Sequence, residues 1–299
     1  MKIPLAPPLE ERGARGDLKG YLRVKLLSHA INLIFPAMCH NCDSNVSADA
    51  LTSYFCKECW QRIEWFNCPC CPKCGLPYVS PCTNTGSESN SGQYAAGHLC
   101  GNCREKPPPF DMAISAGRYA GALAEAIKLF KYKKKIQLGK RLTEQALKSS
   151  LVDRTLQDFQ GQGGPDTVWG YPACRAGTAI SAQTVIIPVP LHIKRLRERE
   201  FNQSAIVGSV IGKKYGIPLA ANALIRNRHT RPQVELDGKE RKENVIGAFS
   251  VEDRTVIEGK EIILVDDVYT SGSTINECAK VLKKNGADKV YVVTIARMV

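Results

Sequence analysis

The stretch Ile262-Ile263-Leu264-Val265-Asp266-Asp267-Val268-Tyr269-Thr270-Ser271-Gly272-Ser273-Thr274 joins a buried strand to a loop of small residues. Four consecutive aliphatic residues open it, the pattern of a strand covered on both faces, as in a parallel sheet. Two adjacent acids stand at the carboxyl end of that strand. A glycine among hydroxyl residues follows, and then a helical pattern, Ile275, Ala279 and Leu282, that ends at Gly286. Strand, small loop and helix make an anion site, because free N–H groups at the helix start and the helix dipole both favour negative charge. Gly272 allows close backbone approach, and Thr270, Ser271, Ser273 and Thr274 supply hydroxyl donors.

The acids narrow the ligand. Beside a bare phosphate they would only repel it. They make sense against vicinal hydroxyls, whose protons an ionised carboxylate accepts, with a hard cation such as Mg²⁺ close by. A phosphorylated ribose with magnesium has all of these features. The segment resembles the motif that binds phosphoribosyl pyrophosphate (PRPP) in type I phosphoribosyltransferases. That resemblance implies that Asp266 and Asp267 hold the ribose hydroxyls while Thr270, Ser271, Gly272, Ser273 and Thr274 cradle the 5′-phosphate.

A chain of 299 residues, 43% hydrophobic and 23% charged, has the make-up of a soluble globular protein of one large or two ordinary domains. No apolar run approaches the roughly 20 residues that span a bilayer. Lys25 and His29 interrupt the apolar positions of the basic N-terminal region, which makes a poor signal peptide. A cytoplasmic protein without a transmembrane segment is expected. Formal net charge is +12, and residues 111–149 alone carry 9 basic and 3 acidic side chains, a surplus of +6. Such a surface invites phosphate-bearing partners, either a phosphorylated small molecule or nucleic acid.

Eleven of the 13 cysteines lie between Cys39 and Cys103. Four C-x2-C pairs stand among them: Cys39/Cys42, Cys56/Cys59, Cys71/Cys74 and Cys100/Cys103. Two such pairs place four thiolates around one Zn²⁺ in the closed geometry of a structural site, so two structural zinc ions are expected. The second site must span a Ser-, Gly- and Asn-rich excursion from Gly75 to Leu99, and there Cys68, Cys70 and Cys82 compete as ligands. A long loop adds little cost, because closure entropy grows only logarithmically with length.

In order, residues 1–36 read as a disordered tail and a docking helix (Leu18 to Ile34), residues 37–106 as a double zinc ribbon, and residues 107–299 as an α/β domain that begins at Pro107-Pro108-Pro109. Within the last, Ala113 to Tyr119 predicts a strand. Ala120 to Tyr132 predicts a helix running into Lys131, Lys133, Lys134 and Lys135, read as a solvated helix end. Residues 153–182 are polar and aperiodic and read as a surface insertion, a segment without an element of its own. Val185 to Leu191 predicts a second buried strand, Phe201-Asn202-Gln203 starts a helix through Tyr215, and Ala223 to Arg226 predicts a short strand. Arg228, Arg231 and Arg241 fall in a basic, turn-rich stretch with the character of a mobile lid over an anion. Val290 to Ile295 closes the chain as a strand. Alternating strands and helices imply an open sheet.

Taken together, the C-x2-C pairs, Phe130-Lys131-Tyr132, Pro188-Val189-Pro190-Leu191, Arg199 with Phe201-Asn202-Gln203, Thr230 with Gln233, Arg241 with Asn244-Val245 and Gly247-Ala248-Phe249, and Asp266 to Thr274 resemble the ComF family of competence-associated proteins. They cover most of residues 37–299. The resemblance implies a type I phosphoribosyltransferase-like open parallel sheet with an N-terminal cysteine-rich zinc-ribbon domain. It implies binding of PRPP with magnesium and transfer of phosphoribosyl to an unidentified acceptor, linked to DNA uptake. Pro190, Leu191, Arg195 and Arg199 are the candidates for the pyrophosphate end, and no residue stands out as a general base. The alternative, of another class, is a non-catalytic adaptor of natural transformation that binds single-stranded DNA or recombination proteins through the ribbon and the basic surface. One departure stands out: Glu200 occupies the glycine of the family's Arg-Gly-Phe-Asn pattern. A position that needs positive φ would be strained by Glu.

Elemental analysis of freshly purified protein that has met no chelator should return two zinc ions per chain; much less than one would refute the ribbon. Cys56→Ser should unfold the ribbon and leave the α/β domain folded, because the ribbon has few apolar residues to bury without metal and the domain has its own core.

Overall fold

The computed structural model describes residues 37–46, 53–67, 70–78, 98–158, 184–228 and 244–299. The predicted docking helix, Cys68, Cys82, the lid residues Arg231 and Arg241, and the insertion beyond Asp158 lie outside them. By packing, the chain falls into two units, Met1–Lys57 and Glu58–Val299.

In the larger unit four strands lie side by side and parallel: β1 (Met112–Arg118), β2 (Thr184–Pro188), β5 (Glu261–Tyr269) and β6 (Lys289–Arg297), in the order β1-β6-β5-β2. Between β2 and β5 in sequence, β3 (Leu224–Arg226) and β4 (Phe249–Val251) form a separate antiparallel ribbon. The central strands are buried almost throughout, as continuous Val/Ile/Leu runs demand. A parallel pair cannot be closed by a hairpin, so each crossover carries helices that cover a face.

Those helices are α3 (Gly121–Tyr132), α4 (Ile136–Ala146), α5 (Ser150–Asp158), α6 (Ile193–Arg199), α7 (Gln203–Tyr215) and α8 (Ser273–Lys284); α1 (Lys57–Gln61) and α2 (Gly101–Glu105) belong to the cysteine-rich region. Ile262 and Leu264 of β5, Val290 and Val292 of β6, and Val185 and Ile187 of β2 share one core with Ile275, Cys278, Ala279 and Leu282 of α8. That core also takes in Cys71, Cys74 and Cys103. The period of two along each strand turns the residues between them, such as Ile186 and Ile263, to the opposite face. There α7 packs on β2 and β5. No helix among the described residues is long and apolar enough to cross a membrane.

Two boundaries differ from expectation. The strand β5 runs through the acid pair to Tyr269, because β6 pairs with it that far, Asp266 opposite Thr294 and Tyr269 opposite Arg297. The helix α5 occupies the first residues of the segment read as aperiodic. Tertiary contacts fix it: Tyr215 Oη and Lys214 Nζ both donate to Asp153 Oδ1, at 2.5 and 2.7 Å.

The turn between α6 and α7 sets the entrance to the site. Asn202 caps α7 by accepting from Ser204 N at 3.0 Å, and its amide donates to Val189 O at 3.0 Å, which fastens the helix to the end of β2. The preceding Glu200 ends α6 in the left-handed region, φ 68° and ψ −9°, with its N–H on Leu196 O at 2.7 Å. This is the conformation in which glycine ends helices and other residues are strained. The Glu200 carboxylate is exposed and pairs with Lys134. Replacing it with glycine relieves the backbone at the cost of a surface ion pair, and such pairs contribute little. Glu200→Gly should therefore stabilise the fold by up to about 1 kcal/mol, seen as a melting temperature higher by a few degrees; a lower one would show the ion pair to matter more than φ.

Candidate functional site

The acid pair forms the floor of a cleft of about 530 Å³ at the carboxyl ends of β5 and β2. In an open parallel sheet this is where ligands bind, since strand ends and helix starts converge there. Thr270 and Thr274 of the loop line the same cleft, and so do Pro190, Leu191, Arg195 and Arg199. Residues predicted from separate stretches to hold the two ends of one ligand are thus brought together. Ser271 and Ser273 line a second hollow behind the loop, and their hydroxyls lie 2.9 Å apart. Gly272 has φ 72°, and a Cβ there would stand 2.5 Å from the Tyr269 hydroxyl, so both the turn and the close approach require glycine. Arg228 donates to Asn244 O and Ile246 O, at 3.2 and 2.8 Å, and so ties together the two ends of the stretch that holds the remaining lid arginines.

Lys131 is the residue that sequence reasoning passed over. It was expected at a solvated helix end, and instead its ammonium reaches Asp267 Oδ1 at 2.8 Å, with the side chains only 19% and 8% exposed. The last turn of α3 is directed there by Phe130, which is fully buried and stacks on Phe201 at 5.6 Å. Burial by itself opposes charge on Lys131, but Asp267 beside it outweighs burial and raises its pKa. The available signal was the triplet Phe130-Lys131-Tyr132, one of the pieces that carry the family resemblance. Ser204 and Gln203 at the start of α7, Lys128, Tyr119 and Arg226 also line the cleft and were likewise not assigned. Arg199 stacks over Tyr132 at 5.1 Å and donates to Gln203 Oε1 at 3.2 Å, which holds its guanidinium at the rim.

Asp266 accepts from Ser204 Oγ and from the Asp267 N–H, both at 2.9 Å. Burial pushes its carboxyl up, and the neighbouring Asp267 pushes it further, to about 7, against the opposing pull of Lys131. Among the described residues the ion pair formed by Lys131 goes to Asp267, and burial leaves Asp266 the less well compensated of the two.

The cysteines form two clusters. Sulfur atoms of Cys39, Cys42, Cys56 and Cys59 lie within 4.8 Å of one another, as do those of Cys71, Cys74, Cys100 and Cys103. Tetrahedral zinc with Zn–S bonds of about 2.3 Å places its sulfurs about 3.8 Å apart. The Cys42–Cys56 and Cys74–Cys100 separations, 3.7 Å each, fit that edge. The knuckle turns fit as well: Asp43 N–H donates to Cys39 O and Gly75 N–H to Cys71 O, with Asp43 and Gly75 both at positive φ. Cys70, a competing ligand on sequence grounds, pairs through its backbone with Pro77, and its sulfur is not among the four of the second cluster.

Comparison with known proteins agrees with this layout. Residues 30–104 match the Double zinc ribbon domain and residues 217–298 the Phosphoribosyl transferase domain. Competence protein F of Haemophilus influenzae is 30% identical over 267 residues, spanning 88% of this chain and 98% of that protein. This chain belongs to the competence protein F family. The DNA utilization protein YhgH of Escherichia coli is 28% identical over 228 residues, 76% of this chain and 83% of the relative. A glutamine PRPP amidotransferase from Bacillus subtilis, solved with ADP and GMP, is 22% identical with a TM-score of 0.27, covering 47% of this chain and 25% of the other. That likeness is too slight to carry an argument. For this ComF-family chain the fold is thus a phosphoribosyltransferase-like parallel sheet with a zinc ribbon holding two four-cysteine clusters.

The raised Asp266 pKa has a consequence for stability. Between its ordinary value of 3.8 and about 7 the folded carboxyl keeps a proton that the unfolded one has lost. The folded state then binds more protons, so the ligand-free protein loses stability as pH rises through that window. Asp266→Asn keeps the acceptor for Ser204 and removes the charge. At pH 8 the variant should be more stable than the parent by on the order of 2 kcal/mol, and melting curves should converge towards pH 4. A gap that is the same at both pH values would rule out this titration.

Proposed function

We propose that this ComF-family protein binds PRPP with Mg²⁺ in the cleft above Asp266 and Asp267 and transfers its phosphoribosyl group to an acceptor. The reading is supported above all by one observation: the acid pair, the two loop threonines and a wall of five cations (Lys128, Lys131, Arg195, Arg199 and Arg226) line a single cleft. Cations and carboxylates lining one cleft suit a ligand that carries phosphates at its ends and hydroxyls in its middle. The 5′-phosphate lies against Thr270, Thr274 and the start of α8. Asp266 and Asp267 accept from the ribose hydroxyls, and Arg195, Arg199 and the Pro190-Leu191 turn face the pyrophosphate.

Such a transfer breaks the bond from C1 to pyrophosphate as a nucleophile arrives, and it asks the protein for position, charge and dryness rather than covalent work. Arg195 and Arg199 stabilise the charge that collects on the leaving group. Lys131, 2.8 Å from Asp267 Oδ1, holds that carboxyl in place towards the sugar hydroxyl. Carboxylate oxygens are hard donors that fit magnesium, and Asp266 with Asp267 would hold it near the sugar; when bound it offsets pyrophosphate charge.

In this reading residues 37–106 are the ribbon and residues 107–299 the transferase domain, and C-x2-C clusters with no disulfide among the described residues support a reducing, cytoplasmic setting. The names of its relatives, a competence protein and a DNA utilization protein, support a role in DNA uptake. Any contact with single-stranded DNA would rest on lysines and arginines and weaken steeply with salt.

The test is calorimetric titration of PRPP with and without Mg²⁺, followed by assay of pyrophosphate release across amine and base acceptors. Asp266→Asn with Asp267→Asn should abolish magnesium-dependent binding and leave the ligand-free fold intact. A double variant that binds PRPP as tightly as the parent would show that these acids are not the ribose site.

A further inference from the structure

Arg297 closes β6 and is 7% exposed, a guanidinium taken almost wholly out of water. A buried charge needs an opposite one, and removing it from water without compensation costs several kcal/mol. Among the described residues no ion pair reaches it. What lies against it is the second cysteine cluster: Nη1 donates to Cys74 O at 2.5 Å, and Nη2 lies 3.8 Å from Cys74 Sγ. With four thiols that neighbour is neutral. With zinc and four thiolates it carries a net charge of −2, the compensation that a buried guanidinium requires. The donor set therefore fits the metal from outside the cluster as well as from within.

The other side of Arg297 leads to the phosphate loop. Its guanidinium carbon stands 4.2 Å over the ring of Tyr269, which is itself buried and held edge-on by Phe110. The Tyr269 hydroxyl is where a Cβ on Gly272 would collide, at 2.5 Å, so the loop backbone rests on the phenol. Cys74, Arg297, Tyr269, Ser271 and Ser273 all face one hollow of about 680 Å³ behind the loop.

We propose that Arg297 is a positioning residue of the second zinc site, and that through Tyr269 it makes the rigidity of the phosphate loop depend on zinc in that site. Outer residues that hydrogen-bond to metal ligands typically change metal affinity 10–100-fold when removed. The guanidinium serves better than an ammonium here, because its planar fork reaches carbonyl and sulfur together while its face lies on the aromatic ring. The bearing on ligand affinity rests on the PRPP reading above; the link between zinc and loop does not.

The test uses the full chain loaded with zinc. Competition with a chromophoric chelator should show Arg297→Met holding one of its two zinc ions at about 10–100-fold lower affinity than the parent, the other unchanged, with Arg297→Lys in between. Hydrogen exchange at residues 270–276 should quicken in the parent when that one zinc is removed. In Arg297→Met it should be fast already and respond little further. Should Arg297→Met fail to fold, Tyr269→Phe separates the two halves: zinc affinity unchanged, loop exchange faster. Zinc affinity in Arg297→Lys and Arg297→Met equal to the parent's would overturn the proposal, and so would a parent loop indifferent to zinc. Neither readout uses PRPP, so a parent that binds no PRPP would sink the proposed function and leave this inference standing.

Discussion

Two carboxylates on consecutive residues of a buried strand end cannot both ionise unless cations or donors stand beside them, and much of this domain is arranged to meet that constraint. Lys131 answers for Asp267 with an ion pair. Ser204 and a backbone N–H answer for Asp266, incompletely, since its carboxyl still sits well above its ordinary range. The chain delivers those partners from the ends of two helices, α3 and α7, that cross the sheet from separate βαβ units. The stacking of Phe130 on Phe201 holds the two helix ends together.

The same constraint explains why a pair of acids belongs in an anion site at all. In isolation they would repel a phosphate. With Lys131 against one and a proton shared out to the other, the floor of the cleft has little net charge, and the surrounding arginines and lysines dominate the field. Under the proposed function, a sugar hydroxyl at Asp266 would take over the role of compensating donor. A shifted carboxyl of this kind, in a cleft, is what concentrates at functional sites, and it supports the proposed binding role.

Behind the loop, the second cysteine cluster is part of the sheet domain's own packing, because Cys71, Cys74 and Cys103 share a core with β5, β6 and α8. Gly75 shows how close the joint is: a Cβ there would stand 2.3 Å from the Ala113 carbonyl oxygen on β1. A knuckle that lies flat on a strand can pass a change of metal state to the sheet, whereas a tethered ribbon could not.

The sequence by itself determined the features that depend on neighbours along the chain. The run from Ile262 to Thr274 is a strand, loop and helix start because aliphatic period, glycine and hydroxyls are local properties. The C-x2-C spacing determined the knuckles for the same reason, and Glu200 could be singled out because it replaces the glycine of the family pattern, at a position that the structure shows at positive φ. What only the tertiary structure decided is which distant groups meet. Ser204 reaches Asp266 across 62 residues, and Arg297 reaches Cys74 across 223. The choice of Lys131 from among several neighbouring lysines, and of Cys71 over Cys70, was settled by packing. A side chain's charge is written in the sequence, but its partner follows from strand order and helix crossing, and these emerge only when the sheet is assembled.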